Sequence, residues 1–117
     1  MLTFEDFVEL SDSMAPRLFT MASHAKTQKN AVVAASIVDG GLISKFILEK
    51  PKKIKAELRK STFTDAMKWK KAIFIAAGTG VAPFRAYLQE KVYLMKQKAE
   101  GKNVNVPIIT LFFGCKH

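Results

Sequence analysis

One segment constrains the fold of this chain more than any other. Residues 72–77 are apolar without interruption, run straight into Gly78-Thr79-Gly80, and give way to Pro83 and a long amphipathic stretch. An apolar run with no polar face reads as a strand of a parallel sheet covered on both sides. Proline in the first turn opens a helix where its missing N–H costs nothing. Over residues 82–99, Phe84, Leu88, Val92, Met95 and Ala99 share one helical face, while Lys91, Lys96 and Lys98 lie off it. Gly101 stops that helix, and residues 107–113 supply a second apolar strand. Strand, helix and strand in this order make a right-handed βαβ unit. The glycine turn inside such a unit is where a phosphate is held, because glycines let the backbone approach and helix amides point at the anion. Gly-Thr-Gly by itself also ends ordinary strands. Its place between strand and helix is what gives it weight.

The chain ahead of that unit has a different texture. Thr3 is a helix N-cap with Asp6 three residues on, and Leu2 and Phe7 occupy the positions of a hydrophobic staple. A short helix to about Met14 is expected, with Phe4, Phe7, Val8 and Leu10 on its apolar side and Pro16 ending it. Residues 17–23 read as a strand and the turn after it, residues 31–38 as an apolar, β-branched strand, Asp39-Gly40-Gly41 as a turn, and residues 42–50 as a short helix stopped before Pro51. Residues 53–59 alternate Ile54, Ala56 and Leu58 with charged side chains, the pattern of a half-buried strand. Residues 62–71 form the junction at which this sheet-and-turn pattern becomes βαβ. No internal repeat or low-complexity tract occurs.

Composition narrows the function classes. No apolar run reaches the ~18 residues of a membrane helix, and the N-terminus has no basic region followed by an apolar core. The single cysteine, Cys115, excludes an internal disulfide and a multi-cysteine metal site. These features favour a cytoplasmic protein without a metal. The net charge is +9, and residues 50–71 carry nine basic residues against Glu57 and Asp65. Such a surface attracts phosphorylated cofactors, acidic proteins, nucleic acid or acidic membranes, or is simply a solvated lysine-rich face. No helix-turn-helix signature, zinc spacing or aromatic strand platform supports nucleic acid.

Four short motifs follow one another along the chain. Residues 17–23, Arg-Leu-Phe-Thr-Met-Ala-Ser, have the form R-x-[Y/F]-[S/T]-x-x-S; Gly41-Leu42-Ile43-Ser44 has the form G-x-x-[S/T]; residues 78–90 read GTGVAPFRAYLQE; and residues 111–116 read LFFGCK. In this order they resemble the ferredoxin–NADP reductase superfamily, most closely its diflavin reductase branch, over about residues 15–117.

The resemblance implies a fold that is α/β plus β. Residues 1–64 would be the end of a FAD-binding antiparallel β-barrel, and residues 65–117 the first βαβ unit of a parallel-sheet NAD(P)-binding domain. It implies Arg17 on the FAD phosphates, Phe19 stacked on the flavin ring, and Thr20 hydrogen-bonded to flavin N5 as the catalytic hydroxyl. Ser23 belongs to the same motif. The chemistry suits these residue types: arginine forks onto a diphosphate, and an aromatic two residues later points to the same side of a strand. Gly41, Leu42, Ile43 and Ser44 would meet the FAD pyrophosphate. Gly78, Thr79, Gly80 and Pro83 would hold the nicotinamide nucleotide, with Cys115 and Lys116 beside it. Arg85 is either a phosphate contact or a helix-surface charge, and Cys115 either borders the nucleotide or packs as a small apolar residue. His24, where the family often has serine, and His117 have no partner in the sequence that would make either a base or a ligand. Lys116 stands for the family's usual arginine, and the Asp39-Gly40 connection is shorter than in relatives.

By the same resemblance the cofactors are FAD and NADPH, with FMN only on a partner domain. Hydride would pass from NADPH to FAD, and electrons onward to an acidic flavodoxin-like FMN domain or another electron carrier. The segments that complete both family domains are not in the 117 residues, which implies a fragment with weak FAD binding, no turnover by itself and a tendency to self-associate. Two other readings stay open on the residues: a non-catalytic nucleotide-binding or interaction module, and a basic protein that binds nucleic acid or membranes.

Overall fold

The computed structural model describes residues 3–12, 14–61, 63 and 65–116. The expectations placed on Leu2, Thr62 and His117, and the boundary drawn after Thr64, lie outside the described residues.

A strand at Lys71–Ala77 (β1), a turn of 3-10 helix at Gly78–Val81, a helix at Ala82–Ala99 (α1) and a strand at Ile108–Gly114 (β2) form the ordered centre of the molecule. β1 and β2 are parallel, in a register that pairs Lys71 with Ile108 and Ala77 with Gly114. This is the expected α/β unit with almost the expected boundaries. Pro83 stands in the first turn of α1, and beyond its end Gly101 takes a φ of +85°, a left-handed conformation that suits glycine.

The core is small and lies between α1 and one face of the sheet. Phe74 is only 3% exposed, stacked on Phe84 at 4.5 Å and tilted against Tyr87 at 5.7 Å. Burial pushes the Tyr87 phenol above its ordinary range. Ala76, Ala82 and Pro107 complete this layer. Met67 is buried in the 3-10 turn Ala66–Lys68, which the Asp65 carboxylate caps by accepting from the Met67 N–H. Asn105 Nδ2 donates to the carbonyls of Met67 and Trp69, tying this turn to the approach of β2.

Two expectations about this unit are corrected. The sheet is covered on one face only among the described residues: Ile73, Ile75, Ile108 and Phe112 are 59–75% exposed. The apolar stripe of α1 also runs differently. Phe84 and Leu88 are half-buried as expected, but Val92 and Met95 are exposed, and half-burial continues through Tyr87, Lys91 and Leu94. Phe74 attracts the Phe84–Tyr87 side of the helix, which turns Val92 and Met95 towards solvent.

The preceding chain is less regular. A helix at Phe4–Leu10 (α2) begins with the expected capping box, in which Thr3 Oγ1 accepts from the Asp6 N–H and the Asp6 carboxylate accepts from Thr3. It ends at Ser11 rather than near Met14, because Ser11 leaves the helix with extended backbone while its hydroxyl donates to the Phe7 carbonyl. Its apolar side chains are exposed. A second short helix, Leu42–Leu48 (α3), follows the Asp39–Gly40 turn, where Gly40 has φ +67°. Residues 17–23 and 31–38 do not form the two expected strands. They meet at an isolated antiparallel bridge between Met21 and Val33, supported by Ala22 N–H to Val32 O at 2.7 Å. The expected strand at 53–59 is absent as well. That stretch carries no regular secondary structure, with Ile54 66% and Leu58 85% exposed, because no neighbouring strand among the described residues completes a ladder with it. The molecule is therefore long, 73 × 32 × 26 Å.

Candidate functional site

Three of the four sequence motifs line one cleft. Its walls are Arg17, Leu18, Phe19 and Thr20 on one side and Gly41, Leu42, Ile43 and Ser44 on a second; Thr79, Gly80 and Ala82 close a third, around about 570 Å³. Residues 34–36 and Val38 line the cleft as well. Sequence reasoning missed them as site residues, since the only signal there was an apolar strand pattern.

Each wall has a local cause. The stretch 17–20 has no regular secondary structure and leads into the Met21–Val33 bridge. Arg17, Leu18, Phe19 and Thr20 are all exposed, Phe19 by 43%, so one cation, one aromatic face and one hydroxyl are free to meet a ligand. The Gly41–Ser44 wall is shaped by Ser44, whose buried hydroxyl accepts from the Val38 N–H at 2.8 Å. A Cβ on Gly41 would lie 3.0 Å from the Val38 carbonyl oxygen and 3.1 Å from Ser44 Oγ, so a side chain there would push against the turn. The Thr79–Gly80 wall is the 3-10 turn that leads β1 into α1. Gly78 has φ +51°, the left-handed region, and Gly80 faces open space with nothing within 4 Å of an ideal Cβ.

Other expected residues stand apart from this cleft. Ser23 is buried and its hydroxyl accepts from the Val32 N–H at 3.0 Å, which joins the two bridged stretches. Gly78 and Pro83 flank the Thr79–Gly80 wall without lining it. The register Ala77–Gly114 sets Cys115 and Lys116 immediately after the paired ends of β1 and β2; both are exposed, so Cys115 is not a packing residue.

Arg85 takes the helix-surface place of its two sequence readings, while His24 departs from its own. Arg85 does not reach the cleft; its Nη1 donates to the Ala22 carbonyl. With Lys26, Gln89, Tyr93 and Lys96 it lines a second, open cleft of about 600 Å³. His24 does have neighbours: Nε2 lies 4.0 Å from Glu90 Oε1 and the ring is tilted against Tyr93 at 6.1 Å. Its Nδ1 is buried with no hydrogen-bond partner among the described residues. Neither contact was visible in the sequence, because α1 and residue 24 are far apart along the chain. Among the described residues, no group of three or more histidine, cysteine or acidic side chains could hold a metal, and no helix is long and apolar enough to cross a membrane.

Compared with curated proteins, the chain is 29% identical over 125 residues to NADPH–cytochrome P450 reductase of Drosophila melanogaster, covering 92% of this chain and 18% of that protein. It is 29% identical over 126 residues to a nitric oxide synthase of Anopheles stephensi, covering 94% of this chain and 10% of that one. A shorter match to NADPH–cytochrome P450 reductase of Saccharomyces cerevisiae reaches 46% identity over 46 residues, 38% of this chain and 7% of that protein. This chain is a relative of the diflavin reductases. As such a relative it spans less than a fifth of the length of the first two proteins. No family model and no solved structure matches it.

Proposed function

We propose that this diflavin reductase relative binds FAD and NADPH in and beside the first cleft, as a flavoprotein oxidoreductase module. The observation that carries the proposal is the convergence of Arg17–Thr20, Gly41–Ser44 and Thr79–Gly80 on one concavity, although they are far apart in sequence. The residues suit the groups. Arg17 supplies a fork for a diphosphate, exposed Phe19 a stacking face, and Thr20 a hydroxyl beside it for flavin N5. The empty space above Gly80 and the first amides of α1 suit a second pyrophosphate. When bound, the two cofactors supply hydride transfer between nicotinamide and flavin; the protein's share is to hold, orient and shield them. Electrons would then pass to FMN on an acidic partner domain or to another carrier, with residues 50–71 as the docking face.

A second reading is favoured by the open sheet face and the unpaired stretch at 53–59. In it the chain binds a nucleotide but does not turn over, and purified alone it self-associates through that face. One preparation tests both. The purified chain is titrated with FAD, followed by visible absorption and flavin fluorescence, and then assayed for NADPH-dependent ferricyanide reduction. A flavin bound in the parent and lost on Arg17→Ala supports the cofactor site, and turnover above free flavin decides between the two readings. Absence of any flavin binding overturns the proposal. Where flavin is retained, Thr20→Val should slow its reduction, and an unchanged rate would remove Thr20 from the mechanism.

A further inference from the structure

Two hydrogen bonds tie the chain just after the Arg17–Thr20 wall of the cleft to the helix just after its Thr79–Gly80 wall. Arg85 Nη1 donates to the Ala22 carbonyl, and the His24 N–H donates to Gln89 Oε1 at 3.0 Å. Arg85 and Gln89 stand one turn apart on the same face of α1. Both of their partners are main-chain atoms. Ala22 is 2% exposed and Ser23 8%, so the main-chain side of this joint is buried in a chain whose apolar side chains are largely exposed. His24 and Lys26 add ring contacts to Tyr93, with the Lys26 ammonium 5.8 Å from the ring centroid.

We infer that Arg85 and Gln89 are positioning residues: by holding the main chain of residues 22–24 against α1, they set the gap between the Arg17–Thr20 wall and the Thr79–Gly80 wall. The arms on either side of the joint are short. Thr20 is two residues from Ala22, a reach of at most ~7 Å along the chain. Gly80 is five residues before Arg85, also ~7 Å at the ~1.5 Å rise of a helix. A displacement at the joint is therefore passed to the cleft with little slack. Arginine suits the task because its charge is permanent and its planar fork is preorganised. Main-chain targets make the contact independent of the side chains at 22 and 24.

The purpose of that gap, to set two cofactors against each other, rests on the function proposed above; the coupling does not. The test therefore reads geometry without cofactor. In a Cys115→Ser background, cysteines introduced at Lys45 and Lys98 carry nitroxide labels, and pulsed electron spin resonance measures the distance distribution between them. The parent should give a single narrow peak. Gln89→Leu, and more so Arg85→Met with Gln89→Leu, should broaden it and shift its mean, while Gln89→Glu, which keeps the acceptor oxygen, should retain the parental peak. Far-UV circular dichroism monitors α1; should the double variant lose helix, Gln89→Leu against Gln89→Glu decides. Identical distributions in parent and Gln89→Leu, or equal broadening by Leu and Glu, overturn the inference. Failure of the parent to bind FAD counts against the cofactor reading and leaves this result standing.

Discussion

Gly78 and Gly80 are two residues apart, and the structure gives them opposite vulnerabilities. Gly78 has φ +51°, while an added Cβ at either glycine meets nothing within 4 Å. For Gly78 the cost of a side chain is therefore backbone strain alone, about 1–2 kcal/mol for an L-residue in the left-handed region. At about 4–8 °C per kcal/mol for a unit of this size, Gly78→Ala should lower the melting temperature by roughly 4–16 °C. Gly80 carries no such strain, so Gly80→Val should change stability by less than about 0.5 kcal/mol. Its side chain instead fills the space against which a pyrophosphate would lie. A tenfold loss of nucleotide affinity, about 1.4 kcal/mol, is the minimum expected. Thermal unfolding by circular dichroism without ligand, followed by calorimetric titration with NADPH, separates the two effects. A Gly80→Val protein that melts like the parent and binds NADPH as tightly would refute the assignment of this turn. A Gly78→Ala protein that melts like the parent would refute the strain argument.

Three further outcomes are expected. Phe74→Ala removes the centre of the Phe74–Phe84–Tyr87 cluster and should cost about 3–5 kcal/mol, read as loss of the α1 helical signal; retention of that signal would show that α1 does not depend on the sheet. The Thr3 N–H, and then the Thr3 hydroxyl, hold the Asp6 carboxyl below its ordinary value of 3.8, so this cap stabilises α2 above that pH and is lost as pH falls through the lower value in the folded chain; amide chemical shifts of residues 4–8 that do not move on acidification would contradict it. Electron transfer to an acidic partner docking at residues 50–71 should slow as salt rises past 0.15 M, where the Debye length is ~8 Å. A salt-independent rate would mark that segment as a solvated face.

The parts of the fold that were legible are those whose signals are local. β1 is an uninterrupted apolar run, and α1 is long, periodic and punctuated by Pro83 and Gly101, so both could be placed from neighbouring residues alone. The stretches at 17–23, 31–38 and 53–59 have strand-like patterns, yet among the described residues the only bridge within them is Met21–Val33. Alternation reports which face prefers burial, whereas a ladder needs a second chain segment that the pattern does not name. The one-sided covering of β1 has the same origin: residues 72–77 are apolar enough for two covers, and among the described residues α1 provides one. The structure brings Arg17, Thr20, Gly41, Ser44 and Gly80 to one cleft; that they belong to motifs was legible because each motif needs particular side chains or none. The joint at Arg85 and Gln89 was not, because its targets are a carbonyl and an amide, which every residue but proline carries alike.

The exposed sheet face of Ile73, Ile75, Ile108 and Phe112 has a calorimetric consequence. Covering apolar surface lowers heat capacity by about 0.45 cal/K/mol for each Å², whereas covering polar surface raises it. The cleft mixes Arg17, Thr20 and backbone amides with Leu18, Phe19, Leu42 and Ile43. A ligand entering it covers polar and apolar surface together, the two contributions offset in part, and its heat of binding should change less with temperature. Any partner that settles on the bare sheet should release heat that grows steeply on warming. The slope of enthalpy against temperature therefore tells which of the two surfaces has been engaged, without a structure of either complex.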